Sequence, residues 1–151
     1  MEPRTTSFLA LFTEGRTRFT KVLDTLAEAD MEKKLAPSPN SAGFLIRHIG
    51  DVELLFAKNV FGLADVQVRA STVAKGFDTG EWTDLAELKA YVQESADTLR
   101  RAIEATPDAE WDSFIETKEF GRKTKAEALG RIVTHTAYHA GQLAVVVKYG
   151  S

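Results

Sequence analysis

The apolar residues of this chain recur at helical spacing in four stretches. In the first, Phe8, Phe12, Phe19, Val22 and Leu26 fall at intervals of three, four and seven, the period of one buried helix face. Pro37 and Pro39 close that region, because proline disfavours helix at its own position and at the one before it. Asn40 or Ser41 then offers a side-chain oxygen to cap a second helix, whose stripe runs Leu45, His48, Val52, Leu55 and stops near Gly62. From about Leu63 to Thr83 no period is sustained, which predicts a long connection holding at most a short helical turn. Ordered loops of that length often cover a binding site. Asp84 and Glu87 have the spacing of a capping box, and the third helix follows with Leu85, Leu88, Val92, Leu99 and Ile103, ending before Pro107. The stretch from Trp111 to Gly121 is short and mixed, suited to an extended segment or a small hairpin. A second capping box, Thr124 with Glu127, opens the fourth helix, whose inner stripe is Ala128, Ile132, His135, His139, Gln142 and Val146. No repeat, low-complexity tract or linker interrupts the chain. The expectation is all-α: a four-helix bundle in one domain over residues 1–151, with a long loop after the second helix and a short extended element before the fourth.

Composition narrows the function. A chain of 151 residues with 44% hydrophobic and 27% charged residues is long enough to bury about 68–70% of its unfolded surface. Its net charge of -3 argues against bulk attraction to nucleic acid or to an anionic membrane. Without cysteine there is no disulfide, thiolate metal ligand or cysteine nucleophile. The N-terminus carries no apolar signal region, and no apolar run approaches the ~18 residues of a membrane span. The default expectation is cytoplasmic.

Candidate chemistry lies in the three histidines. His135 and His139 stand four apart on the fourth helix, which stacks their side chains on one face with Cβ atoms roughly 5–6 Å apart. His48 interrupts the apolar stripe of the second helix, where a lone histidine needs a partner. If those helices face each other, three neutral imidazoles converge on one divalent ion and leave a position open for water or substrate, the pattern of a catalytic rather than a structural metal site. The plain alternative is an exposed or half-buried pair with no ligand. A His-Glu-x-x-His protease motif is absent, since Thr136 follows His135. Neither a nucleophile elbow nor a phosphate-binding or dinucleotide glycine loop occurs. Gln142, three residues after His139, and Asp51, three after His48, are candidates for holding the ligands from behind; Asp51 could also act as a fourth ligand or base. Against these stand a polar residue at the bundle mouth for Gln142 and a solvated helix residue for Asp51. Glu53 is turned away from the ion. Tyr138, Trp82 and Trp111 are expected to pack rather than to bind.

The stretches Ile46-Arg47-His48-Ile49-Gly50-Asp51-Val52-Glu53 and His135-x-x-x-His139-Ala140-Gly141-Gln142 resemble the DinB/YfiT-like superfamily of small metal-binding helical bundles. The resemblance extends over nearly the whole chain, in helix order, long loop and short extended piece. It implies a divalent metal, often zinc or nickel, on the three histidines, and frequent homodimers. Relatives with assigned activity include transferases and isomerases that use low-molecular-weight thiols.

Three functions follow as expectations. The first is a metal-dependent transferase or hydrolase acting on a small-molecule substrate, with an external low-molecular-weight thiol as a second cofactor. The second is a non-catalytic metal-binding or stress-response protein, and the third a helical dimerisation module without metal. Ile46, Phe56, Val133 and Val147, apolar and off the inner stripes, are the expected homodimer surface.

Overall fold

The computed structural model describes residues 1–151 and is mostly helical. Its elements are α1 (Pro3–Asp24), α2 (Ala42–Asn59), α3 (Ser71–Lys75), α4 (Leu85–Glu104), β1 (Phe114–Thr117), β2 (Gly121–Thr124) and α5 (Lys125–Tyr149). The helix starts follow local chemistry. Ser41 Oγ accepts from Phe44 N–H at 3.1 Å and caps α2. At α5 the capping box is complete: Thr124 Oγ1 accepts from Glu127 N–H at 3.1 Å, and Glu127 Oε2 accepts from Thr124 N–H at 2.8 Å. At α4 only half of the expected box forms: Asp84 accepts from Glu87 N–H at 2.9 Å without the return bond, and the next N–H, that of Leu85, donates to Glu28 of a distant turn at 3.2 Å. The mixed stretch is an antiparallel hairpin, with Phe114 opposite Thr124 and Thr117 opposite Gly121.

The long helices pack α1 on α5, α5 on α2, α2 on α4 and α4 on α1, so each has two long neighbours. At Gly15 of α1 a Cβ would fall 2.4 Å from Val133 Cγ1 of α5, so any larger residue there would force Val133 to shift. The interior divides into two apolar clusters. One gathers Phe19, Met31, Ile46, Ile49 and Leu143; the other gathers Phe12, Leu99, Ile103, Leu129 and Ile132. Between them every long helix interrupts its apolar register with a polar residue: Arg16, Glu53, Ser95 and Thr136. Trp82 and Trp111 are core residues, one in each cluster.

Three expectations are corrected. Ile46 and Phe56, read as outward surface, are 0% and 3% exposed, because α2 is enclosed by α4, α5 and α3 and has no free apolar face. Val133 and Val147 are half-buried against the core. The buried stripe of α5 is Ala128, Leu129, Ile132, Thr136, Ala140, Leu143 and Val146, so His135 and His139 sit at its edge and Gln142 is exposed.

Residues 60–84 form the long connection, and within it α3 packs on α2. Ala70, just before α3, holds φ 47° and ψ 49°. A side-chain-bearing residue in that left-handed region costs about 1–3 kcal/mol and persists only where neighbouring contacts fix it. No helix is long and apolar enough to cross a membrane.

Candidate metal centre

The packing of α2 against α5 brings all three histidines together. His48 Nε2 lies 3.2 Å from His135 Nε2. The ring of His139 is centred 4.4 Å from that of His135 and 4.8 Å from that of His48. One nitrogen from each ring lies within 4.8 Å of the others. Two imidazole nitrogens on a tetrahedral ion at 2.0–2.1 Å stand about 3.3 Å apart, the separation that His48 and His135 already show.

Electrostatics keep the rings neutral. Burial, then the proximity of His139, pushes His48 down to about 4. Burial, then His139 and His48, pushes His135 down to about 3. His139 is lowered by burial, with the Gln142 hydrogen bond opposing. A neutral imidazole has a lone pair to donate; an imidazolium has none.

Outer contacts aim the rings. His139 Nδ1 lies 2.6 Å from Gln142 Oε1, whose amide nitrogen is 3.3 Å from the Tyr138 hydroxyl. An amide oxygen only accepts, so His139 carries its proton on Nδ1 and its Nε2 is free. Exposed Gln142 therefore orients His139. Tyr138, expected to pack, is 65% exposed beside His139. His48 Nδ1 faces Thr72 Oγ1 of α3 at 3.1 Å. Asp51 is fully buried, not solvated, and touches His48 only through Thr72. Its Oδ1 accepts from Arg47 Nε at 3.0 Å and the Tyr91 hydroxyl at 2.6 Å; its Oδ2 accepts from Thr72 N–H at 3.0 Å and Thr72 Oγ1–H at 2.7 Å. Burial, then the hydrogen bond and charge of Asp51, pushes the Tyr91 phenol up and keeps it a donor. At Gly50 a Cβ would meet the Tyr91 ring at 2.7 Å, so glycine lets Tyr91 cross α2 to reach Asp51.

Buried His135 Nδ1 has no hydrogen-bond partner. It is the ring nitrogen that does not face His48; the one that does, Nε2, stands 3.2 Å from His48 Nε2, and at most one proton can lie between those two neutral nitrogens. Three neutral imidazoles at a ligand-like spacing fit a divalent ion.

Glu53 does point away, as expected, but it is fully buried. It accepts from Arg16 Nε at 2.8 Å, Ser95 Oγ at 2.7 Å and Thr136 Oγ1 at 3.1 Å, joining four helices.

Beside His48 and His135 opens a cleft of about 520 Å³. Val52, Leu55 and Phe56 of α2, Val73 of α3 and Phe120 form apolar walls, and Glu116 and Glu119 of the hairpin region are its only carboxylates. Glu119 pairs with Arg131 at 3.2 Å. Arg122, opposite Glu116 across the hairpin, stacks instead on Phe114 at 3.9 Å. Thr72, Tyr91, Glu116 and Glu119 carry no spacing signal linking them to the histidines. The Glu53 layer did carry one, a polar residue at a stripe position in each helix.

No curated protein matches the chain. The family model for the DinB superfamily matches residues 11–143, from within α1 to within α5, and includes all three histidines. The protein belongs to the DinB superfamily.

Proposed function

We propose that His48, His135 and His139 hold one divalent ion, zinc or nickel, in a four-helix bundle, and that the protein is a metal-dependent transferase or hydrolase of a small molecule. The observation that carries this reading is three half-buried, neutral imidazoles, with one nitrogen from each within 4.8 Å of the others, opening onto a cleft. A divalent ion there supplies Lewis-acid chemistry, lowering the pKa of a water or thiol that it ligates. The chain does the rest. Gln142 and Thr72 orient two of the imidazoles, the aliphatic and aromatic walls take the substrate's apolar part and exclude water, and Glu116 and Glu119 are the carboxylates in reach of a proton released in the cleft. With no cysteine in the chain, a thiol reaction draws its sulfur from an external low-molecular-weight thiol.

Cobalt substitution tests the thiol reading. A thiol that ligates the ion adds a sulfur-to-metal charge-transfer band. If glutathione, bacillithiol, mycothiol and coenzyme A all leave the spectrum unchanged, thiol transfer fails and hydrolysis replaces it. A homodimer is also proposed, now through exposed Tyr138, Val145 and Tyr149 on one face of α5. Light scattering at 16.6 kDa and micromolar concentration would contradict it.

A further inference from the structure

We propose that Thr72 is the positioning residue of His48: it fixes the imidazole as its Nδ1–H tautomer and makes docking of α3 and occupation of the histidine cluster one coupled equilibrium. The Asp51 carboxylate has four acceptor positions, and Arg47 Nε, the Tyr91 hydroxyl, Thr72 N–H and Thr72 Oγ1–H fill them. Thr72 has one hydroxyl proton, which Asp51 takes at 2.7 Å. Its oxygen faces His48 Nδ1 at 3.1 Å with only lone pairs left, so His48 is the donor. The remaining lone pair of His48 is on Nε2, the atom 3.2 Å from His135.

The same three contacts fasten α3. Thr72 is 2% exposed and binds Asp51 through both its backbone N–H and its hydroxyl. Two residues earlier the backbone turns through the left-handed conformation of Ala70, which only firm contacts nearby can hold. One residue later Val73 lines the cleft. An undocked α3 therefore removes a cleft wall and releases the tautomer of His48 together. By linkage, an ion that binds the oriented histidines tightens α3 to the same degree.

The tautomer is a property of the metal-free chain; the coupling rests on the metal reading. Long-range proton–nitrogen correlation on ¹⁵N-labelled, metal-free protein reads the tautomer directly. His48 should be Nδ1–H in the wild type and in Thr72→Ser, and mixed or Nε2–H in Thr72→Val. Zinc alone should bind Thr72→Val about 10- to 100-fold more weakly than wild type, with Thr72→Ser restoring affinity. Amide exchange over residues 70–75 should slow on adding zinc to the wild type and not to Thr72→Val. An Nε2–H His48 in the wild type overturns the assignment, even if the valine variant fails to fold. Unchanged exchange in zinc-bound wild type overturns the coupling. A wild type that binds no zinc sinks the metal reading and the coupling with it, while the tautomer is still decided by the metal-free spectrum.

Discussion

Asp51 and Glu53 stand two residues apart on α2. Both are fully buried, and each receives an arginine and neutral donors. They do different work. Glu53 draws Arg16, Ser95 and Thr136 from the other three long helices into a closed layer between the two apolar clusters. Each of these side chains donates to the carboxylate, and Arg16 Nη2 also donates to the Val92 carbonyl at 3.1 Å. Asp51 instead passes its hold on, through Thr72, to His48, whose Nε2 lone pair faces His135 Nε2 at 3.2 Å within the histidine cluster. Burial and charge alone do not separate a structural polar group from one that serves a site. The separation comes from where the contacts lead: between helices for Glu53, and on to the histidine cluster for Asp51.

The largest expected effect falls on the closed layer. Glu53→Ala leaves Arg16 without its partner in a nearly buried position, and the loss should be about 3–5 kcal/mol in chemical denaturation. Metal bound per folded chain should stay at the wild-type level. A variant that keeps its stability but loses metal would exchange the roles assigned to the two carboxylates.

Next is the open cluster. His135→Ala should abolish stoichiometric metal while changing the metal-free stability little. Its consequence is a lost ligand effect: the wild type gains about 2.7 kcal/mol at free metal 100 times Kd, and the variant gains none. Thermal unfolding with and without chelator reads the difference.

Proton linkage tests the same comparison without metal. His48 and His135 titrate near 4 and near 3 in the folded chain, below the ordinary value of about 6.5. A depressed folded value means the unfolded chain binds more protons below about pH 6.5. Metal-free stability should thus be complete above that pH and fall as pH drops towards 4. Urea midpoints measured from pH 7.5 to 5 should show the decline, and His48→Gln or His135→Gln should flatten it. A decline unaltered by both substitutions would assign it elsewhere.

The smallest effect concerns the exposed support. Gln142→Leu removes the acceptor for His139 Nδ1 and should weaken metal binding about 10-fold. Stability should shift by less than about 0.5 kcal/mol, as for other surface changes. Isothermal titration with zinc, alongside melting curves, separates the two. A stability loss without an affinity loss would make Gln142 a packing residue.

What the sequence reveals here depends on how local each determinant is. The caps at Ser41 and Thr124 are legible because donor and acceptor lie within one turn. His135 and His139 are legible because helical spacing alone stacks them. The orientation of α2 is not: a helix enclosed on nearly every side carries apolar residues all round, so Ile46 and Phe56 look like surface when neighbours are unknown. Thr72 meets Asp51 across 21 positions, through a loop whose course depends on a left-handed Ala70 that no propensity predicts. Glu116 and Glu119 reach the cleft only because the hairpin folds beside α2. Asp51 reads as solvated because nothing near it in sequence announces that Tyr91, from α4, will cover it.

Metal content decides whether the three histidines form a site. Protein purified without an affinity tag and exposed to zinc or nickel, then desalted, should hold about one ion per chain, and His135→Ala, folded by circular dichroism, should hold none. No retained metal in the wild type, or equal metal in wild type and all three single histidine variants, would contradict the account.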